Sequence, residues 1–179
     1  MARMVIDGYG QVELNNVAFR RDGRIEAQCA LSTADFSPSV PAENGMILRV
    51  KKADHEICFA DASAANQLYA LNYSTEHMYD ERKPGLKNFR LVPGEFYPRM
   101  GYLAAGDLWT TNCIDLGSYA SAAAVGAALT NTTIYAAVGT QGAAVLSTAA
   151  PSVGPVMQVI KKTTMPDGTD GFQLQVLSV

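Results

Sequence analysis

The scarcities of this chain set the first limits on its function. Only 17% of its 179 residues are charged, against about 25% in ordinary soluble domains. Fourteen basic residues face 17 acidic ones, for a net charge of −3. That excludes a nucleic-acid binder held by a bulk excess of Lys and Arg. The two histidines, His55 and His77, form neither a His-x-x-x-His nor a His-Glu-x-x-His pair, so no metal site is expected. Cys29, Cys58 and Cys113 are odd in number and far apart, and read as small buried hydrophobes in a reducing compartment. No Gly-x-Ser-x-Gly elbow occurs, because Gly117-Ser118-Tyr119-Ala120 lacks its second glycine. Gly139-Thr140-Gln141-Gly142 lacks the Lys-Ser/Thr of a phosphate loop and reads as a hairpin turn. The carboxylates Asp54/Glu56 and Asp80/Glu81 sit beside Lys52, Arg82 and Lys83, a setting that does not raise a carboxyl pKa for acid catalysis. The expectation is a protein without enzymatic activity or cofactor.

Long apolar runs are also missing. The N-terminus has no uninterrupted apolar stretch of signal-peptide length. The longest uncharged run, Leu116 to Ile160, is rich in alanine and broken by Asn131, Gln141, glycines and prolines, so it does not read as a membrane span. Asn72-Tyr-Ser74 and Asn131-Thr-Thr133 match the glycosylation sequon, and read as chance matches.

What is present is mostly strand. Hydrophobic residues make up 48%, enough for a core and too many for disorder. Residues 1–45 are punctuated by Gly8, Gly10, Asn15-Asn16, Asp22-Gly23, Pro38 and Pro41, and read as an extended N-terminal arm. One strand is expected within it, from the alternation of Ile25, Ala27, Cys29 and Leu31. Residues 46–179 read as a β-barrel or sandwich. Met46–Lys52 and Glu56–Ala60 flank the three-residue loop Ala53-Asp54-His55. Asp61–Leu68 reads as one helical turn, and further strands are expected at 68–73, 87–92, 100–103 and 107–114. Ser118 to Leu129 reads as the one short helix, capped by Ser118. Strands at 133–138 and 143–148 follow. The chain ends in a hairpin, 156–163 with 172–177, around Met165-Pro166-Asp167-Gly168, where Gly168 is expected at positive φ. The fold class is therefore all-β and mainly antiparallel.

The distribution of charge is uneven. Residues 112–179 hold only five charged side chains, Asp115, Lys161, Lys162, Asp167 and Asp170. Such a surface packs against neighbours at little desolvation cost, or else reports an Ala-rich element buried in one domain. Lys51-Lys52 and Lys161-Lys162 lie on expected strands, where lysines protect sheet edges. Phe19-Arg20-Arg21 and Arg24 crowd one turn of the arm, and arginine favours interfaces through its bidentate fork. Most aromatics between Tyr69 and Trp109 read as core, whereas Tyr79, Phe96 and Tyr97 fall beside proline, glycine and charge as candidate exposed anchors. The candidate interface is thus Phe19, Arg20, Arg21, Arg24, Tyr79, Phe96 and Tyr97.

The stretch from Asn88-Phe-Arg-Leu-Val-Pro-Gly-Glu-Phe-Tyr-Pro-Arg-Met100 to Asn112 resembles small virion structural proteins of tailed bacteriophages, the head decoration or auxiliary capsid proteins. Val159-Ile-Lys-Lys-Thr-Thr-Met-Pro-Asp-Gly168 with Phe172–Leu177 looks similar to their C-terminal hairpin. The resemblance covers residues 44–179 in patches. It implies a β-barrel that cements a capsid without catalysis. Its partners would be the major capsid protein and copies of itself, with no direct nucleic-acid or membrane contact. Its place would be the virion, assembled in the bacterial cytoplasm. The rival expectations are a tail or fibre-base protein that adheres to host glycans, and a small ligand-binding barrel.

Overall fold

The computed structural model describes residues 9–60, 67–74, 89–95 and 97–179. Residues 61–66 of the expected turn at 61–68, His77, Tyr79, Asp80/Glu81, Phe96 and part of the expected strand 87–92 lie outside the described residues.

The fold is all-β, built as two mixed sheets. The larger sheet has the strand order β1-β8-β13-β12-β10-β11-β9. Its members are β1 (Val12–Asn16), β8 (Leu108–Thr111), β9 (Ile114–Asp115), β10 (Tyr135–Val138), β11 (Ala144–Ser147), β12 (Val156–Thr164) and β13 (Asp170–Ser178). The smaller sheet runs β2-β7-β6-β4-β5-β3, from β2 (Ile25–Glu26), β3 (Ala30–Leu31), β4 (Ile47–Lys51), β5 (Glu56–Phe59), β6 (Tyr69–Asn72) and β7 (Met100–Tyr102). All pairings are antiparallel except β3 with β5 and β9 with β11. Each sheet keeps two free edges, so neither closes into a barrel.

Period-two alternation explains why the sheets stack. On β4, Ile47 turns with Leu71 toward one core, and Leu48 turns with Ala70 toward another. The first core joins Ile47, Tyr69 and Leu71 to Trp109, Leu146, Met157, Phe172 and Leu174 of the larger sheet. The second covers the far face of the smaller sheet with Cys29, Leu31, Phe36, Ala42, Phe89 and Leu91. The smaller sheet is therefore buried on both faces.

That packing corrects the expected arm. The segment before residue 46 places β1 on an edge of the larger sheet, β2 and β3 on the two edges of the smaller one, and its own side chains in both cores. The single strand expected at 25–31 is two short ones. Glu26 is buried and Ile25 is 41% exposed, the reverse of the expected alternation. Among the described residues two helices are present, one more than expected: α1 (Ala18–Asp22) and α2 (Ala122–Ala128). The cap of α2 is Ser121, whose hydroxyl accepts the Ala124 N–H at 3.2 Å, in place of Ser118.

Other expectations hold in whole or in part. The hairpin β4–β5 is present, but it turns through four residues, 52–55, one more than expected, because the ladder closes at Lys51 and Glu56; His55 has φ 54°. The terminal hairpin turns through Met165–Gly168, and Gly168 has φ 85°. Lys51-Lys52 does not guard an edge, since β4 is an interior strand, whereas Lys161-Lys162 lies on β12 past its pairing with β10 at Met157 and Gln158. Lys51 pairs with Asp54 at 2.8 Å, Lys52 with Glu26, and Lys162 with Asp170.

Candidate functional site

The arginine turn is placed by a single carboxylate. Asp107, 1% exposed, accepts the Ala18 N–H at 2.6 Å and the Ala104 N–H at 2.8 Å. It thereby fixes the start of α1, which ends at Gly23 in the left-handed region (φ 68°). Phe19 is fully buried beneath the helix, its ring centroid 5.0 Å from that of Tyr73. It is core, which corrects its assignment to the interface. Burying Phe19 leaves its neighbours outside: Arg20, Arg21 and Arg24 are exposed.

Backbone contacts bring a further arginine to the same corner. The Tyr102 N–H donates to the Arg24 carbonyl, and the Tyr73 N–H to the Arg99 carbonyl, each at 3.0 Å. Burial pushes the Tyr73 phenol above its ordinary pKa, and the charges of Arg99 and Arg20 pull against that rise. Among the described residues no ion pair is made by Arg20, Arg24 or Arg99, while Arg21 bonds Asn16 through its guanidinium. Ile25 on β2 and Tyr97, 66% exposed, add apolar area on the strand edge and the segment leading into β7. Arg20 and Arg99 thus both lie within electrostatic reach of Tyr73, while Arg24 and Arg99 lead into β2 and β7 from opposite ends of that antiparallel pair. Arg99 escaped the sequence reading, although Tyr97-Pro98-Arg99 stood beside the expected anchors.

Next to this corner lies a closed polar cluster. Glu26 accepts from Lys52, from the Gln28 N–H at 2.9 Å and from the Tyr102 hydroxyl at 3.4 Å. The Lys52 ammonium stands 5.3 Å from the Tyr102 ring centre. Its hydrogen bond chiefly holds the Glu26 carboxyl down at a pKa of about 2, so Glu26 stays ionised and is unsuited to act as a general acid. The thiols are equally unreactive: burial raises Cys29 and Cys58, and takes Cys113 up to about 12. Among the described residues, no three His, Cys, Asp or Glu side chains group to hold a metal ion. None of the described helices is long and apolar enough to cross a membrane.

The outer face of the larger sheet is different in kind. Trp109, Leu174, Met157 and Ala136 turn inward, so their strand neighbours turn out. Across the ladder, Ser147, Tyr135, Gln158, Gln175 and Leu108 form one outward row. In the next row, Gln173 and Thr110 pair between Lys161 and Glu13, and both donate to the Asn15 side-chain oxygen Oδ1, at 3.1 and 2.8 Å. An open groove of about 500 Å³ adjoins this face, lined by residues 129–133 and 158–160. Of the sequons, Asn72 is fully buried, donating to the Glu43 carbonyl at 2.8 Å, whereas Asn131 is exposed in the groove.

No family model, no curated protein and no solved structure matches the chain. Its function is therefore argued from these residues.

Proposed function

We propose that the protein is a non-enzymatic structural component of a tailed-phage head, decorating the capsid through contacts with the major capsid protein and with copies of itself. The observation that carries this reading is the arginine corner. Three guanidiniums without an ion pair among the described residues stand on the segments that lead into β2 and β7, which also carry the exposed Ile25 and Tyr97, on a chain whose net charge is −3. Arginine beside exposed aromatic and aliphatic surface is the composition of a protein interface, and its forks select carboxylates on the partner. On the outer face of the larger sheet the uncharged row of Ser147, Tyr135, Gln158, Gln175 and Leu108 suits contact between copies, because amides and hydroxyls cost far less to desolvate than the charges of Glu13 and Lys161 in the next row. The same amides also leave a neutral ligand within reach. A barrel with a central ligand cavity does not fit, since the sheets stay open.

The test is reconstitution on heads of the parent virus that lack the protein. Wild-type protein is expected to co-sediment with them and to raise their resistance to heat and to magnesium dilution. Arg20→Glu/Arg24→Glu/Arg99→Glu should lose binding, and Ala137→Asp on the outer face should lower occupancy. Heads that survive heating equally well with and without the protein would sink the cementing role.

A further inference from the structure

The groove beside the larger sheet arises where two strands part. Pairing of β10 with β12 is recorded at Tyr135–Gln158 and Ala136–Met157. The Val159 N–H still donates to the Ile134 carbonyl at 2.8 Å, and before Ile134 the chain runs back through residues 130–133 to α2, so the flank of β12 opens only from Ile160 onward. A β-bulge falls there: Val159 faces Leu174 and Lys161 faces Gln173, so Ile160 has no register partner and its side chain is 42% exposed.

We infer that this fork binds a neutral saccharide. Its lining carries no ionisable side chain, so no charge there offsets the desolvation of a phosphate or a carboxylate. Three threonine hydroxyls and two carboxamides, from the run Thr130-Asn131-Thr132-Thr133 and from Gln158, line it instead. A purely apolar ligand would strip these groups of water without replacing their hydrogen bonds. The Thr130 hydroxyl donates to the Ala127 carbonyl at 2.8 Å and accepts from the Asn131 amide at 2.9 Å, which fixes the Asn131 side chain. The Asn131 carbonyl oxygen, the hydroxyls of Thr132 and Thr133 and the Gln158 carboxamide have no bond to the described chain. They are donors and acceptors in the mixture that sugar hydroxyls require. Leu129 and Ile160 supply the apolar patches against which the C–H face of a pyranose rests, and the Tyr135 ring stands directly across from Gln158 on the same strand face. The volume, about 500 Å³, lies within the range of small-ligand sites, roughly 300–1,000 Å³.

The site does not depend on capsid attachment, so its failure would leave the decoration reading intact. The experiment is an amide-resolved NMR titration of the full chain with maltose, lactose, cellobiose and chitobiose, and with 3′-sialyllactose as the anionic counterpart of lactose. At least one neutral disaccharide should shift the amides of 130–133 and 158–160. Thr132→Val/Gln158→Leu should weaken that binding by about tenfold or more, through the loss of two uncharged hydrogen bonds. Should that pair disturb the fold, Asn131→Ala on the exposed loop must show the same weakening. The inference is overturned if no neutral disaccharide shifts these amides, if shifts map elsewhere, if sialyllactose binds more tightly than lactose, or if the folded variants bind as the wild type does.

Discussion

Replacing Gly101 by alanine tests how firmly the N-terminal segment is locked into the fold. A Cβ at Gly101 would lie 2.5 Å from Cγ, Cδ2 and Cε2 of Phe19. That is inside any real contact distance, and the obstacle is a fully buried ring with no soft end to yield. Gly101 is not in the left-handed region, so backbone strain adds nothing and the effect is packing alone. Overpacking of this kind costs about 1–3 kcal/mol, and the rigidity of the ring argues for the upper end. Phe19→Ala removes the obstacle but leaves a cavity, at about 3–5 kcal/mol. In the double variant the new methyl enters space that the ring has vacated, so the two costs should not add. A coupling of about 1–3 kcal/mol is expected, beyond the ~0.5 kcal/mol scatter of independent sites. Urea unfolding followed by fluorescence reads this directly, because the single tryptophan, Trp109, is fully buried in the core that holds Phe19. For a chain of this size each kcal/mol lowers Tm by about 2–4 °C. A Gly101→Ala protein as stable as wild type, or strictly additive costs, would refute the packing of α1 on β7.

Asp107→Ala strands the buried N–H groups of Ala18 and Ala104 and should cost about 2–5 kcal/mol in a denaturant titration, with Asp107→Asn recovering part of it. Gly168→Val meets no atom within 4 Å, so its cost comes from φ alone. About 1–3 kcal/mol is expected as a lowered Tm, and Gly168→Asn should be milder. The folded Glu26 carboxyl titrates at about 2 against an ordinary 4.5, so its contribution is complete above pH 4.5 and is lost as pH falls toward 2. Stability measured across that window should therefore fall less steeply in Glu26→Gln than in wild type.

The sequence made the elements legible where local chemistry was strict. The turn Met165–Gly168 follows from Pro166, which presets its φ, and from Gly168, which accepts a positive φ. The segment before residue 46 was misread because its glycines and asparagines shorten every strand, while its core residues stand one or two at a time. Val17 and Phe19, then Cys29 and Leu31, reach different cores, so no single periodicity joins them. Glu26 shows the limit of alternation, since its partner Lys52 lies 26 residues on and arrives through sheet topology. The arginine turn was visible as composition. Its meeting with Arg99 was not, because it depends on Phe19 packing over Gly101. The groove was hidden for a similar reason: Thr130–Thr133 reads as an ordinary loop until β12 is placed beside it.

The two surfaces differ in how they respond to salt, and that difference assigns them separate roles. Contacts made by Arg20, Arg24 and Arg99 with carboxylates weaken as ionic strength rises, because the Debye length shrinks from about 10 Å at 0.1 M to about 3 Å at 1 M. Contacts through Ser147, Gln175 and Leu108 carry no net charge and lose little over the same range. If the arginine corner seats the protein on a capsid and the uncharged row meets neighbouring copies, added salt should release the protein from heads while leaving its self-association in place. Sedimentation of heads and light scattering of free protein, run across one salt series, measure the two separately. Self-association that vanishes with salt in step with head binding would place both contacts at the arginines and remove the uncharged row from the lattice.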